Sequence, residues 1–174
     1  MTFLEVLDDA VKIGLGGLTG WLIAKGTRSH EFEKERRRRK QDCLERVVED
    51  LDEQQSAFGD WCVNCLTYRK ITEQKEKNPA MEQQSLKLVN HSNENSELAR
   101  TKLIRSHSKL IVFGFHECAA ALLAYNSKLL TFRVVVTAVR QSQKEMAEYS
   151  SGRDELRKCV DNIRATVTKA FEIL

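Results

Sequence analysis

The chain has 174 residues, 30% charged and 41% hydrophobic, with one proline and eight glycines. These are the proportions of an ordinary folded chain, and they exclude a collagen-like, low-complexity or disordered polypeptide. The net charge of +3 hides one basic window, Lys25 to Lys40, with eight basic and three acidic residues. The remainder is slightly acidic, which argues for a local basic patch and against a nucleic-acid-binding body.

Residues 1–25 are the first predicted element. The uncharged run from Ile13 to Ala24 is short for a membrane span, but Lys12 and Lys25 flank it and can snorkel to the interfaces. Glu5, Asp9, Lys12, Gly16 and Thr19 fall on one helical stripe, and Leu4, Leu7, Val11, Leu15, Leu18 and Leu22 on another. An oligomer can turn the polar stripe inward, toward water or toward its neighbours, where a lone helix in lipid cannot. Gly16 and Gly20 form a GxxxG pair that lets helices approach closely. The reading is a transmembrane helix; interfacial binding and burial as a soluble core helix are the alternatives.

The basic residues Arg36, Arg37, Arg38, Arg39 and Lys40 follow the apolar run, and the acids precede it. The positive-inside rule then predicts a single pass, with the N-terminus outside and the bulk cytoplasmic. Residues 26–43 read as a juxtamembrane stalk on anionic lipid.

Residues 44–174 read as a cytoplasmic helical bundle, giving an all-α protein. Leu44, Val48, Leu51, Phe58, Cys62 and Cys65 share a 3.5-residue seam interrupted by Gln55, with Val47, Trp61 and Tyr68 widening the face. Asn78-Pro79 marks the end of this long helix. A second helix is predicted from about Ala80 to Lys109, with its polar middle NHSNENSE as a break or a solvated face. KLIVFGF, residues 109–115, reads as an extended connection or a buried helix start. The next segment is helical to a last turn at Ser150-Ser151-Gly152. Leu156, Val160, Ile163, Val167 and Phe171 then lie on one face of a final helix.

Chemistry-bearing motifs are few. Cys62 and Cys65 form a CxxC, but with no βαβ context and no second ligand pair they read as core cysteines. The odd count of five cysteines suits free thiols in a reducing compartment. Arg100 and His107, separated by six residues, have a spacing used by HEPN nucleases for acid–base chemistry and phosphate stabilisation, and spacings of this kind also arise by chance. No phosphate loop, metalloprotease motif or nucleophile elbow is present. The expectation is a protein that is not an enzyme, without metal or cofactor and with no small-molecule substrate evident.

The order of parts resembles the small membrane-anchored accessory proteins of type VI-B CRISPR systems, whose helical bodies are HEPN-like with a degenerate motif. The shared segment is KLxxFGxxE, here Lys109, Leu110, Phe113, Gly114 and Glu117. The resemblance implies a homo-oligomeric membrane pore that strengthens antiviral defence alongside an RNA-guided RNase or its RNA. Arg100 and His107 then become degenerate candidates for the family motif. On this reading Glu5, Asp9, Lys12, Gly16 and Thr19 line the pore, and Gly16 and Gly20 pack its helices. Two alternatives stand beside it: a non-conducting anchor that recruits a cytoplasmic partner, and a membrane-tethered HEPN-type RNase.

Overall fold

The computed structural model describes the backbone of residues 3–74, 78–142 and 144–174, and the side chains in those ranges from His30 onward. The described residues form four helices and no strand: α1 (Phe3–Thr72), α2 (Pro79–Val112), α3 (His116–Arg140) and α4 (Met146–Glu172). The chain divides into two units, Met1–Lys40 and Gln41–Leu174. The first is helical from Phe3, as expected. Its expected pore-lining and packing positions, Glu5, Asp9, Lys12, Gly16, Thr19 and Gly20, lie outside the described side chains. From His30 to Arg39 its side chains are exposed, and Arg39 pairs with Glu35 at 2.9 Å.

The second unit is an up-down-up-down four-helix bundle. Cross-helix contacts set its register. Lys102 meets Glu53 and Ser106 meets Asp50, Arg133 meets Glu97 and Arg100 meets Asn126, and Lys128 meets Glu155 and Phe132 meets Tyr149, so consecutive helices run antiparallel. Tyr125 meets Gln54 and Phe132 meets Phe58, so α3 runs parallel to α1 across the bundle.

The buried seam of α1 is Leu44, Val47, Leu51, Gln54, Phe58, Trp61 and Cys65, with Cys43 and Cys62 beside it. It is turned from the expected one: Val48 and Gln55 are only half-buried, and Gln54 is the polar residue taken inside. The large Trp61 ring, 4% exposed, draws the helix round, because its burial removes more apolar area from water than that of Gln55 would.

Helix α2 corrects the reading of a polar break. Its buried positions are Ser85, Val89, Ser92, Ser96, Ala99, Leu103, Ser106 and Leu110, an unbroken alternation of four and three. Five of the eight are Ser or Ala, which lets α2 lie close to its neighbours, and Ser92 satisfies its hydroxyl on the carbonyl of Leu88 at 2.8 Å. Asn78-Pro79 opens this helix instead of closing α1, which ends at Thr72. The Asn78 side chain accepts from the amides of Ala80 and Met81, and Pro79 occupies the first turn, where its missing N–H costs nothing.

The KLIVFGF segment is neither extended nor a helix start. It is the end of α2 and a Schellman turn. The amide of Phe115 donates to Leu110 O at 2.8 Å and that of Gly114 to Ile111 O at 3.0 Å, with Gly114 at φ +84°. The turn expected at Ser150–Gly152 lies instead around Gln141–Glu145, where Ser142 takes φ +57°. Ser150, Ser151 and Gly152 are inside α4. Gly152 is there for room: a Cβ on it would lie 2.5 Å from Phe132 Cδ2.

On α4 the expected face is buried at Leu156, Val160, Ile163 and Val167, joined by Ala170, while Phe171 is partly buried against it. Helix α3 is long and apolar enough to cross a membrane by length and composition. In the bundle its inner face, including Leu122, Tyr125, Leu129, Phe132 and Val136, is core.

Candidate interaction site on the helical body

Arg100 and His107 lie on α2 two turns apart, about 10 Å along the axis. The Arg100 guanidinium, 22% exposed, pairs with Glu97 at 2.8 Å and donates to Asn126 Oδ1 at 3.3 Å. No hydrogen bond joins it to His107 among the described residues. Its bonds tie α2 to α3.

The polar middle of α2 serves a cation that sequence reasoning passed over. Arg133, on α3, is 13% exposed and pairs with Glu97 at 3.0 Å. Its guanidinium also donates to Ser96 Oγ at 3.0 Å and to Asn93 Oδ1. Glu97 thus bridges two arginines, one through each carboxylate oxygen. Burial draws the Arg133 pKa down and Glu97 pulls it back up. The signal was in the sequence: a lone arginine in the apolar run of α3, opposite a cluster of Asn, Ser and Glu on α2.

Cys62 and Cys65 are buried free thiols. Desolvation pushes Cys62 up to about 12 and Cys65 to about 11, so neither is a thiolate nucleophile at neutral pH. Among the described residues no group of His, Cys, Asp and Glu is gathered as a metal site.

The KLxxFGxxE residues each have a local physical role, beginning with Lys109, a basic residue in the last turn of α2, where the helix dipole favours a cation. Leu110 is fully buried, Phe113 packs against the core, Gly114 takes the left-handed conformation of the turn, and Glu117 sits in the first turn of α3, where the helix dipole favours an acid.

The feature left without an internal role is the outer face of α3. Between Cys118 and Val139 the helix has only two charged residues. Both are drawn sideways: Lys128 pairs with Glu155 on α4 at 2.8 Å, and Arg133 turns to α2. The strip between them is Ala120, Leu123, Ser127, Leu130 and Val134, spaced three and four apart and all exposed. Leu123 is 59% exposed, Leu130 43% and Val134 68%, on a helix whose opposite face is already core. Exposed leucine and valine side chains repeating along one face of a helix whose other face is core mark an interaction surface.

Comparison of the chain with family models and curated proteins, and of its fold with solved structures, returned no match.

Proposed function

We propose that the protein is an oligomeric membrane protein: residues 1–25 cross the bilayer, and the helical body assembles with further copies of itself through the outer face of α3. The observation that carries the assembly is the uncharged strip from Ala120 to Val134 on a helix whose other side is core. Support for the membrane part comes from the sequence of residues 1–25, with its polar stripe, its GxxxG pair and the basic block that follows. On this reading Glu5, Asp9 and Lys12 face a pore, and opening it dissipates the membrane potential. A role in antiviral defence beside an RNA-guided RNase, and a HEPN-like origin of the body, rest on the resemblance carried by Lys109, Leu110, Phe113, Gly114 and Glu117.

Carbonate washing of membranes, then sizing with light scattering in detergent, tests the reading. A carbonate-resistant oligomer is expected, and Leu123→Glu with Leu130→Glu is expected to reduce its mass while leaving the helical content intact. A soluble wild-type monomer would sink the proposal. Neutralising Glu5 and Asp9 should alter ion flux through liposomes holding the protein. If replacing residues 1–25 with an unrelated membrane helix preserves activity, the protein is a non-conducting anchor. RNA cleavage lost in Arg100→Ala and His107→Ala would instead mark a tethered RNase; the engagement of Arg100 by Glu97 and Asn126 gives that reading less support.

A further inference from the structure

The bundle has a second surface that shows aliphatic side chains to solvent. A groove of about 490 Å³ lies between α1 and α2, lined by residues of the Glu53–Asn64 stretch of α1 and the Leu88–Asn95 stretch of α2. Its apolar walls are accessible: Val63 is 61% exposed and Leu88 51%. Ala57 and Ser92 of the lining are small, and the Ser92 hydroxyl already donates to the carbonyl of Leu88 at 2.8 Å. An apolar occupant can therefore approach closely without burying an unpaired hydroxyl. The groove carries two acids, Glu53 and Asp60, and no lysine or arginine. Glu53 is held by Lys102, and Asp60 makes no ion pair among the described residues. Helix α3 has the opposite balance: between Cys118 and Val139 it holds Lys128 and Arg133 and no acid.

The groove and the uncharged strip of α3 also stand at one height. Phe132 of α3 packs on Phe58 of the parallel helix α1, with 5.8 Å between ring centroids. Leu130 and Val134 lie two residues either side of Phe132, as Ser56 and Asp60 of the groove lie either side of Phe58. Helix α3 is across the bundle from α1, so strip and groove open on different sides. One copy can lay its strip on a neighbour while its own groove receives another's. Such a head-to-tail contact closes into a ring when copies are related by rotation alone, and gives an open filament when each step also rises. Equal heights remove the rise.

We propose that the outer face of α3 in one copy seats in the groove between α1 and α2 of the next, with Leu130 and Val134 against Val63 and Leu88, and that the copies thereby close into a ring. The inference rests on the reading that the outer face of α3 joins copies, and it names what that face meets. Charge agrees with the pairing: a helix face bounded by two cations meets a groove that bears two acids, and no like charges are brought together. The other arrangement of a second copy, strip on strip, is isologous. It stops at two copies and leaves Val63 and Leu88 uncovered.

The test is cross-linking of the full-length protein in native membranes. Two copies with different tags are co-expressed, one with Val134→Cys and the other with Leu88→Cys, and treated with a short bis-maleimide. Both positions are exposed, so neither change should disturb the core. Four of the native thiols are buried, and Cys159→Ser in both copies removes the half-buried one. A dimer carrying both tags is expected from the mixture and none from either copy alone, while a chain with both changes should give a ladder. Leu130→Glu in the Val134→Cys copy should reduce the mixed dimer by at least about tenfold. Moving the second cysteine from Leu88 to the exposed Asp154 of α4 should abolish it. A dimer formed by Val134→Cys alone would mean strip on strip, which overturns the proposal and leaves assembly through α3 standing. Equal linking to Leu88→Cys and Asp154→Cys would overturn it as random collision. No link of any kind would overturn it too, and light scattering of the wild type in detergent then shows whether assembly itself has failed.

Discussion

The guanidinium of Arg133 lies 4.6 Å from the centroid of the Trp61 ring, between an aromatic residue of α1 and the polar stripe of α2. One cation therefore ties three helices together. Removing it as Arg133→Ala should destabilise the bundle by about 2–4 kcal/mol, through lost cation–π contact, lost packing of the stem and lost pairing. Glu97→Ala should cost more than Arg100→Ala, because Glu97 alone neutralises both arginines whereas Arg100 leaves Glu97 still paired with Arg133. Denaturant titration followed by far-UV dichroism gives both comparisons. Equal losses for the two would mean that the bridge is not the organising contact.

Gln54 is fully buried, and its Oε1 accepts from the Tyr125 hydroxyl. Tyr125→Phe should cost about 1–3 kcal/mol, since it leaves the amide oxygen without a donor while its Nε2 is already unpartnered among the described residues. Adding Gln54→Leu should recover most of that loss, because replacing both partners by apolar groups of similar shape removes the desolvation penalty. A double-mutant cycle measures the coupling, and strict additivity would contradict the assigned bond.

Two glycines of the bundle should respond in opposite directions. A Cβ added at Gly59 would meet nothing within 4 Å, so Gly59→Ala should stabilise by about 0.5–1 kcal/mol through helix propensity alone. At Gly152 the added carbon would meet the Phe132 ring at 2.5 and 2.9 Å. That ring is held by Phe58 and Tyr149, so overpacking, at about 1–3 kcal/mol, should outweigh the propensity gain and give a net loss. Thermal unfolding of the two variants side by side checks the signs.

The buried thiols predict an alkaline limit. Cys62 and Cys65 have folded pKa values of about 12 and about 11 against an ordinary 9.0, with burial as the largest cause. Below pH 9 both are protonated in the folded and unfolded states, and their contribution is fully present. Above it the unfolded chain loses these protons first, so stability should fall as pH rises from about 9 through 11 and 12. Changing both to Ala should flatten that decline, at some cost in packing. In the folded protein at pH 8 a maleimide should label the half-buried Cys159 first and reach Cys62 and Cys65 only after unfolding.

Much of the bundle is legible in the linear chain. The scarcity of breakers and the spacing of Leu156, Val160, Ile163 and Val167 determine an all-helical fold, since helical periodicity is a local property. The character of Cys62 and Cys65 as core residues is legible for the same reason: they ride the buried side of their helix. Registers are less legible. Gln54 and Gln55 are chemically the same, and only the bulk of Trp61, and a hydroxyl contributed from Tyr125 far along the chain, decides which goes inside. A run such as NHSNENSE reads as solvated until the arginine that it surrounds is brought up from α3.

Glycine is the clearest divide. Gly114, at the end of an apolar helix, is where a Schellman turn needs a residue of positive φ, a local preference that the apolar run around it hid behind an extended or helix-start reading. Gly152 looks like the same stop and is not one, because its reason is the Phe132 ring twenty residues earlier in the chain. Local dihedral preference determined the first. Packing between two helices, which exists only once the bundle is assembled, decided the second, and with it the turn at Gln141–Glu145, the groove between α1 and α2 and the uncharged face of α3.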